Sequence, residues 1–578
     1  MNTLVVLSLR NIARFAACVA IAGITGCGSG NSATTSTSSS TATTSETATT
    51  TTLSSSAMSV VSGTSITLTA VVFPSAATGT VTFYDSSTSL GTGTLSSGAA
   101  TLAATLGTTG THTLTAVYAG SGTYSTSTSA AITVTVTAAT SSSSSACGYQ
   151  DSTNSAYNTG IDVYTSGTNT LASATVAASG TDESAVCAEN AGTTLTLTNP
   201  TVTSTSNTAY QNDSSFYGLN AAVLAYGSGT TASTGAVMNI TGGTVTTTGT
   251  FASGVYASAA TVNISGTTIN ASGTGGHGLY CAEGAVMNIT DVTATTTAQT
   301  GSVIATDTGG CAITVNGGTY ATTGARSAGL YSTGVVIASN ATISAGDSPV
   351  AVIDGTNSIS VTNSSLTSAN GDGRGIQVFS SAGSSASANT GTITFTGGSL
   401  AYSCTATACS SLSASSGQND PATMFSVTNT TATITLNDVT VSNSASALLE
   451  AEALTNGTSG SNGGLVTFIA TGTALTGDVI VDSISTASMT LSSASSLTGT
   501  INNAKTGSVV GLTLDATSKW TVTGTSYLTT LSDAAAISGT SITNIVGNGN
   551  IVYYSSANNS SLGGLTYTLS GGGYLEPY

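Results

Sequence analysis

The feature that most constrains this chain is a short pattern that recurs four times between residues 238 and 320. Each copy places apolar residues between polar ones, and successive copies lie 24, 25 and 26 residues apart. The central apolar residues of the four copies are Ile240, Ile264, Ile289 and Val315. A period of this size indicates stacked units that each add strands to a shared core, because one unit cannot bury its own apolar face.

A second set of apolar residues follows the same period, so each unit contains at least two short strands. The members of this set are Val255, Leu279, Val303, Leu330 and Val352. Within each strand, apolar residues alternate with Thr, Ser or Asn, the period-2 pattern of a strand with one buried face. Helical spacing is absent, and Gly, Asn and Ser provide the turns. The pattern predicts an all-β solenoid, specifically a parallel β-helix.

Composition excludes nucleic acid as a partner. The chain has a formal net charge of −17, and only six of its residues are Lys or Arg. Two of the six, Arg10 and Arg14, lie near the N-terminus. The others are Arg326, Arg374, Lys505 and Lys519. Four scattered cations are too few to neutralise a run of phosphates.

Residues 1–26 have the pattern of an export signal, because two Arg precede an apolar run that is too short to span a bilayer. The run ends in Ile24-Thr-Gly-Cys27, which resembles the lipobox of bacterial lipoproteins. The resemblance implies that Cys27 is lipidated and becomes the first mature residue, and that Gly28 favours the outer membrane. Lipid chains would then anchor the protein to a membrane.

A flexible segment and a separate domain follow. Residues 27–53 form a Ser/Thr-rich linker without an apolar period. Residues 54–137 contain alternating strands separated by turns, as in a β-sandwich. The stretches Gly79–Asp85 and Gly110–Tyr124 resemble the bacterial Ig-like repeat domain, which implies a spacer. His112 is expected to face solvent.

The solenoid is expected to occupy residues 147–578, after a second Ser/Thr linker at 138–146. Insertions near 380–390 and 401–425 stretch its period. Its coils and the segment Trp520-Thr-Val-Thr-Gly resemble pertactin-like and adhesin-like passenger domains. That resemblance implies a right-handed parallel β-helix with an adhesive role. The aromatic residues near the C-terminus are expected to cover the last coil.

Six cysteines remain beyond the export signal and Cys27, and in an exported chain they suggest disulfides. They are Cys147, Cys187, Cys281, Cys311, Cys404 and Cys409. Pairing in sequence order is the simplest arrangement, although sequence alone leaves the connectivity open. A metal site is the rival interpretation, but the chain has no CxxC motif and only two His. We therefore expect no metal and no cofactor.

One motif suggests an enzyme. Gly276-His277-Gly278 resembles a motif of β-helical polygalacturonases, which implies a catalytic role for His277. The other motifs of those enzymes are missing, and His277 occupies the repeat position held elsewhere by Ser253 and Ala328. We interpret His277 as a variant of an ordinary repeat position.

Carboxylates offer a second enzymatic possibility. Glu283, Asp307 and Asp354 each lie just after the first strand of their coil, so they could stack. Glycosidases use two carboxyl groups a few ångströms apart, but equivalent positions in a solenoid are neighbours whether or not they act. Asp372 with Arg374 offers the only mixture of acid and base that a pectate-lyase mechanism would need. We expect no catalytic residue, and keep these carboxylates and His277 as the alternative.

Asn239, Asn263 and Asn288 precede the repeated Ile and are expected to form a ladder of hydrogen-bonded amides. The sequence as a whole favours a lipid-anchored, adhesin-like surface protein whose Thr-, Ser- and Asn-rich face binds glycans or another surface. One alternative is a carbohydrate-active β-helix enzyme, either a polysaccharide lyase or a glycoside hydrolase. Another is a passive surface-layer component.

Overall fold

The computed structural model describes residues 45–61, 65–108, 110–137, 145–151, 156–307, 309–369, 373–404, 422–533 and 536–578. The predicted export signal, Cys27, most of the two predicted linkers and Cys409 lie outside these ranges. The described chain is all-β with a single α-helix, Gln211–Tyr217. Among the described residues, no helix has the length and apolar character that a bilayer span requires.

The N-terminal domain is a sandwich of two sheets. One sheet has the antiparallel order Thr50–Ser55, Ser65–Phe73 and Ala99–Thr105. The other has the order Ser59–Val61, Ile132–Thr137, Gly110–Tyr118, Thr80–Asp85 and Thr88–Thr94, with Ser127–Thr128 beside Gly110–Tyr118. Leu68, Phe83 and Leu114 are fully buried between the sheets. The first strand begins at Thr50, inside the segment predicted as linker.

His112 faces the core of this sandwich, so the prediction that it faces solvent is wrong. The period-2 alternation of Gly110–Tyr118 places His112 on the same face as Leu114, and its side chain is only 9% exposed. Its Nδ1 lies 2.6 Å from Asp85 Oδ2, and its Nε2 lies 2.7 Å from the carbonyl oxygen of Thr108. Burial by itself would lower the pKa of His112, but these two partners outweigh burial and raise it.

The rest of the described chain is a parallel β-helix with three long sheets. Sheet I contains Ser145–Asp151, Ala156–Tyr164, Glu183–Glu189, Val223–Tyr226, Val255–Ser258, Leu279–Ala282, Ile304–Thr306, Leu330–Ser332, Ala351–Asp354, Arg374–Phe379, Thr423–Thr428, Ala447–Ala451 and Asp478–Val481. Sheet II contains Thr168–Ala172, Thr194–Thr198, Val237–Thr241, Thr261–Ser265, Val286–Thr290, Ala312–Asn316, Val335–Ser339, Ser358–Thr362, Thr390–Thr396, Thr430–Asn437, Gly464–Thr471, Thr486–Ser492, Val509–Leu514 and Thr530–Ser532. Sheet III contains Thr175–Ala178, Thr201–Ser204, Thr244–Thr247, Thr268–Ala271, Thr293–Thr296, Thr319–Thr322, Thr342–Ala345, Ser365–Ala369, Ser399–Ser403 and Thr440–Asn443.

A fourth sheet forms the C-terminal end. Its order is Ala474–Thr476, Ser496–Gly499, Lys519–Val522, Ser541–Val546, Tyr567–Ser570, Tyr574–Pro577, Ile551–Tyr554 and Ser526–Leu528, with Ile537–Ser538 beside Ser541–Val546. The pairing of Tyr567–Ser570 with Tyr574–Pro577 is antiparallel, which interrupts the parallel stack. Trp520 and Tyr554 are fully buried, whereas Tyr574 and Tyr578 are about half exposed. The aromatic residues therefore cover the last coils only in part.

The predicted register is confirmed in sheet II and corrected in sheet I. In sheet II the repeated residues Ile240, Ile264, Ile289 and Val315 pair with one another in consecutive strands. In sheet I, Leu279 pairs with Ile304 rather than Val303. Likewise Leu330 pairs with Ala351 rather than Val352. One continuous buried cluster of inward side chains runs through the coils from Leu171 to Leu575.

The helix is a feature that the sequence did not predict. It lies in an insertion before the strand Val223–Tyr226, and it packs over the outer face of sheet I, where the Tyr256 hydroxyl donates to the Ser215 carbonyl. Gly218 caps the C-terminal end of the helix, and its φ of 73° is left-handed. A Cβ at Gly218 would lie 2.6 Å from the Tyr256 ring, so glycine is required there for two reasons.

Candidate functional site

The outer face of sheet I carries a row of side chains that are in register from coil to coil. We call this set the tyrosine row: Tyr256, Tyr280, Ala305, Tyr331, Val352 and Gln377. Adjacent members lie about 4.8 Å apart, the spacing of neighbouring strands. The helix covers the row at Tyr256, which is fully buried, and Tyr280 is 4% exposed. Farther along the row, Tyr331 is half-buried.

Two tyrosines of the row form the same hydrogen bond, two coils apart. The Tyr280 hydroxyl donates to Asp307 Oδ2 at 2.5 Å, and the Tyr331 hydroxyl donates to Asp354 Oδ2 at 3.3 Å. Burial raises the pKa of both phenols, and the neighbouring carboxylates raise it further. Both hydroxyls therefore stay protonated and hold the carboxylates in place at neutral pH.

His277 belongs to the same cluster. Its ring centroid lies 4.1 Å from that of Tyr280, and its Nδ1 is buried without a hydrogen-bond partner. Burial lowers the pKa of His277 to about 4, although Asp307 and the Ser302 backbone act in the opposite direction. The imidazole is therefore neutral near pH 7. The His277 amide donates to Ser253 Oγ at 3.4 Å, which confirms that the two residues hold equivalent positions in adjacent coils.

The predicted carboxylates share a position along the coil only in part. Asp307 and Asp354 share one position along the coil but lie two coils apart, with Thr333 between them. Glu283 is one residue out of that position, because it follows Ala282 and turns the chain with a φ of 54°. The three therefore do not form a single column. Asp354 is also tied to the 380–390 insertion, since it accepts a hydrogen bond from the Ser381 amide at 2.7 Å.

The remaining candidates lie apart from this cluster. Arg374 Nε donates to Ser426 Oγ at 3.1 Å, and Asp372 is outside the described residues. Within the described ranges, no group of three or more His, Cys, Asp and Glu is arranged to hold a metal ion.

The predicted amide ladder is confirmed. Asn263 Nδ2 donates to Asn239 Oδ1, and Asn288 Nδ2 donates to Asn263 Oδ1, each at 2.9 Å. A second contact of this kind runs along sheet III, where Thr295 Oγ1 donates to Asn270 Oδ1 at 2.7 Å. These bonds fix the orientation of polar groups on the outside of the coils.

Two of the predicted disulfides are present. Cys147 pairs with Cys187 and Cys281 pairs with Cys311, with Cα–Cα distances of 6.3 and 6.0 Å. Cys404 is also disulfide-bonded, and its predicted partner Cys409 lies outside the described residues.

The tyrosine contacts are the part of this site that the sequence did not predict. A signal was present, because Tyr256, Tyr280 and Tyr331 each end a similar short segment at the same position of its coil. Their pairing with carboxylates could not be deduced, because it depends on which residue of the next coil lies opposite.

The described architecture defines the class: an Ig-like sandwich joined in sequence to a parallel β-helix. The family model for the bacterial Ig-like domain (group 3) matches residues 51–137, which are those of the sandwich. No curated protein and no solved structure matches the chain. The interpretation of the β-helix therefore rests on its own geometry.

Proposed function

We propose that this chain is an exported, lipid-anchored surface protein whose β-helix binds glycans or another cell surface without cleaving them. The observation that carries the proposal is the outer surface of the coils, where hydroxyl and amide side chains repeat in fixed rows. The Asn239, Asn263 and Asn288 ladder is an example of such a row. Glycan hydroxyls are the natural partners of such groups.

Repetition supplies the affinity in this proposal. A single hydrogen bond contributes only about 0.5–1.5 kcal/mol net, so one contact would bind weakly. Equivalent positions recur about every 4.8 Å along the stack, and a chain-like partner that contacts several of them gains from multivalency. The amides are already held by their neighbours, so little side-chain freedom is lost on binding.

Surface location is supported by two findings. The Ig-like domain belongs to a bacterial family, and disulfides form and persist mainly outside the reducing cytosol. From the resemblance of the N-terminal segment to a lipobox, we further propose that Cys27 carries the lipid and that the lipid anchors the protein in the outer membrane. The Ig-like domain then acts as a spacer between the membrane and the β-helix.

One observation favours the second candidate function, a carbohydrate-active enzyme. Tyr280 contacts both His277 and Asp307, so this cluster combines a phenol with a neutral imidazole and a carboxylate. Such groups can move protons. However, Tyr280 is 4% exposed and His277 Nδ1 is buried, so a substrate could reach them only if the chain segments that cover them, among them the helix Gln211–Tyr217, moved.

Retention and cleavage can be measured together. The purified protein is incubated with insoluble plant and bacterial polysaccharides, and both the bound protein and the released reducing sugar are quantified. We expect retention on at least one polysaccharide and no product. Product release that disappears in Glu283→Gln or Asp307→Asn would instead establish the enzyme. Self-association without retention would favour a passive surface layer.

A further inference from the structure

A groove of about 430 Å³ lies on the corner between sheets I and II, beside the 380–390 insertion. The side chains that define it are Val335, Ser358, Thr392, Thr356, Asn357 and Thr390. Glycines supply the rest of its lining, so no charged group lines it. Its volume is within the usual range of small-ligand sites.

The floor of the groove is one row of sheet II. Val335, Ser358 and Thr392 pair in register across three adjacent strands. Successive members are about 4.8 Å apart. Val335 is 41% exposed, so the row presents an apolar patch followed by two hydroxyl groups. A surface that is apolar at one end and hydroxyl-bearing at the other matches a molecule with both characters.

The wall of the groove is fixed before any ligand arrives. The Thr390 amide donates to Thr356 Oγ1 at 3.1 Å, which leaves the hydroxyl hydrogen of Thr356 free to donate. The Asn357 side chain donates through Nδ2 to the Asp354 carbonyl, so its Oδ1 remains as an acceptor. Asp354 is held in turn by Ser381, which belongs to the insertion. These contacts make the polar groups rigid, which reduces the entropic cost of binding.

We propose that this groove binds pyranose units of a neutral glycan, with an apolar sugar face on Val335 and sugar hydroxyls bonded to Ser358, Thr392 and Asn357. The inference rests on the proposed function and gives it a location and a ligand class. The groove has no charged side chain to pair with a charged ligand, so such a ligand would lose its hydration and gain no ion pair in exchange. Asp354 beside the groove further disfavours uronic acids.

The test uses a pair of matched variants on one strand. Val335 and Ile337 are both exposed apolar residues on the outer face of Val335–Ser339, at 41% and 46%, but only Val335 lines the groove. Val335→Asp therefore places a charge in the groove, and Ile337→Asp places the same charge outside it. Because both side chains are exposed, neither change should disturb folding appreciably, and circular dichroism checks this.

Binding of β-1,4-linked hexasaccharides of glucose, mannose and N-acetylglucosamine is measured by calorimetry, with a galacturonic acid hexasaccharide as the charged probe. We expect at least one neutral probe to bind and the acidic probe not to bind. Val335→Asp should weaken the affinity for the neutral probe at least tenfold, whereas Ile337→Asp should change that affinity less than twofold.

Three outcomes overturn the inference, and they distinguish its failure from the failure of the proposed function. If Val335→Asp and the unmodified protein bind the neutral probe with equal affinity, or if the acidic probe binds better, the groove is not the proposed binding site, although the proposed function can still hold. If no neutral probe binds and no polysaccharide retains the protein, both the groove site and the proposed function are rejected.

Discussion

The two histidines of the chain have environments that shift their pKa values in opposite directions. His112 is buried beside the Asp85 carboxylate, and its pKa is raised. His277 is buried beside a tyrosine ring with one nitrogen unpartnered, and burial lowers its pKa to about 4. The folded sandwich therefore favours the charged form of its imidazole, whereas the folded β-helix disfavours the charged form of its own.

The raised pKa of His112 predicts that the Ig-like domain is more stable at pH 5.5 than at pH 8.5. The contribution is complete below the unfolded value of 6.5 and is lost as pH rises through the folded value. Hydrogen exchange of Gly110–Tyr118, corrected for intrinsic rates, measures it. His112→Gln should remove the pH dependence, and His277→Gln should leave this strand unaffected. Equal protection at both pH values would contradict the prediction.

His112 also shows where reasoning from single residues fails. The prediction takes His112 to alternate with apolar neighbours, but the phase of the strand Gly110–Tyr118 is set by Leu114 and Tyr118, which are buried on the same side as His112. The spacing of His112, Leu114 and Tyr118 in the sequence already places the three residues on one face of the strand. The carboxylate that allows a buried imidazole comes from Asp85 on another strand, so it could not be predicted from the neighbours of His112.

At the scale of elements, sheets I and II differ in how well their register could be predicted. Strands of sheet II bury one face, so Val262 and Ile264 alternate with polar residues and mark the phase unambiguously. Strands of sheet I are buried on both faces near the helix, and Val303 and Ile304 are both apolar and both buried. Where apolar and polar residues do not alternate, the sequence cannot distinguish the correct pairing register from one that is shifted by one residue.

The disulfide Cys281–Cys311 joins two successive coils inside the core, and both residues are fully buried. It closes a loop with a sequence separation of 30. Loop-closure entropy then predicts that the double variant Cys281→Ala, Cys311→Ala loses about 3–4 kcal/mol of unfolding free energy. Urea unfolding followed by circular dichroism measures the loss.

Thiol titration supplies the control for that prediction. In denaturant without reductant, Cys147, Cys187, Cys281 and Cys311 should give no free thiol, and the double variant should give none either because both partners are replaced. The prediction would be contradicted if the unfolding midpoint did not change, or if these residues gave free thiols in the unmodified protein. Either result would show that the disulfide does not stabilise the coils.

At the scale of the whole molecule, the periodic parts were predictable, whereas the structures of the insertions were not. Coil length follows from the repeat period, and a sandwich follows from alternating strands separated by turns; the Ig-like character is what the resemblance of Gly79–Asp85 and Gly110–Tyr124 implies. The helix Gln211–Tyr217 does not repeat, and it owes its position to the Tyr256 ring and to Gly218. The groove depends on how the 380–390 insertion folds back beside Thr356. Both candidate sites lie next to insertions, where one coil differs from its neighbours.

The most direct test of a surface-anchored adhesive protein uses whole cells. Bacteria that produce the unmodified chain, the Cys27→Ser variant or no chain are applied to surfaces coated with a polysaccharide that retains the purified protein. Adherent cells are counted after washing, and external protease probes exposure of the protein. We expect the unmodified chain to be protease-accessible and to increase adhesion, and Cys27→Ser cells to release the protein and adhere no better than cells lacking it. A protein shielded from protease, with no gain in adhesion, would contradict the account.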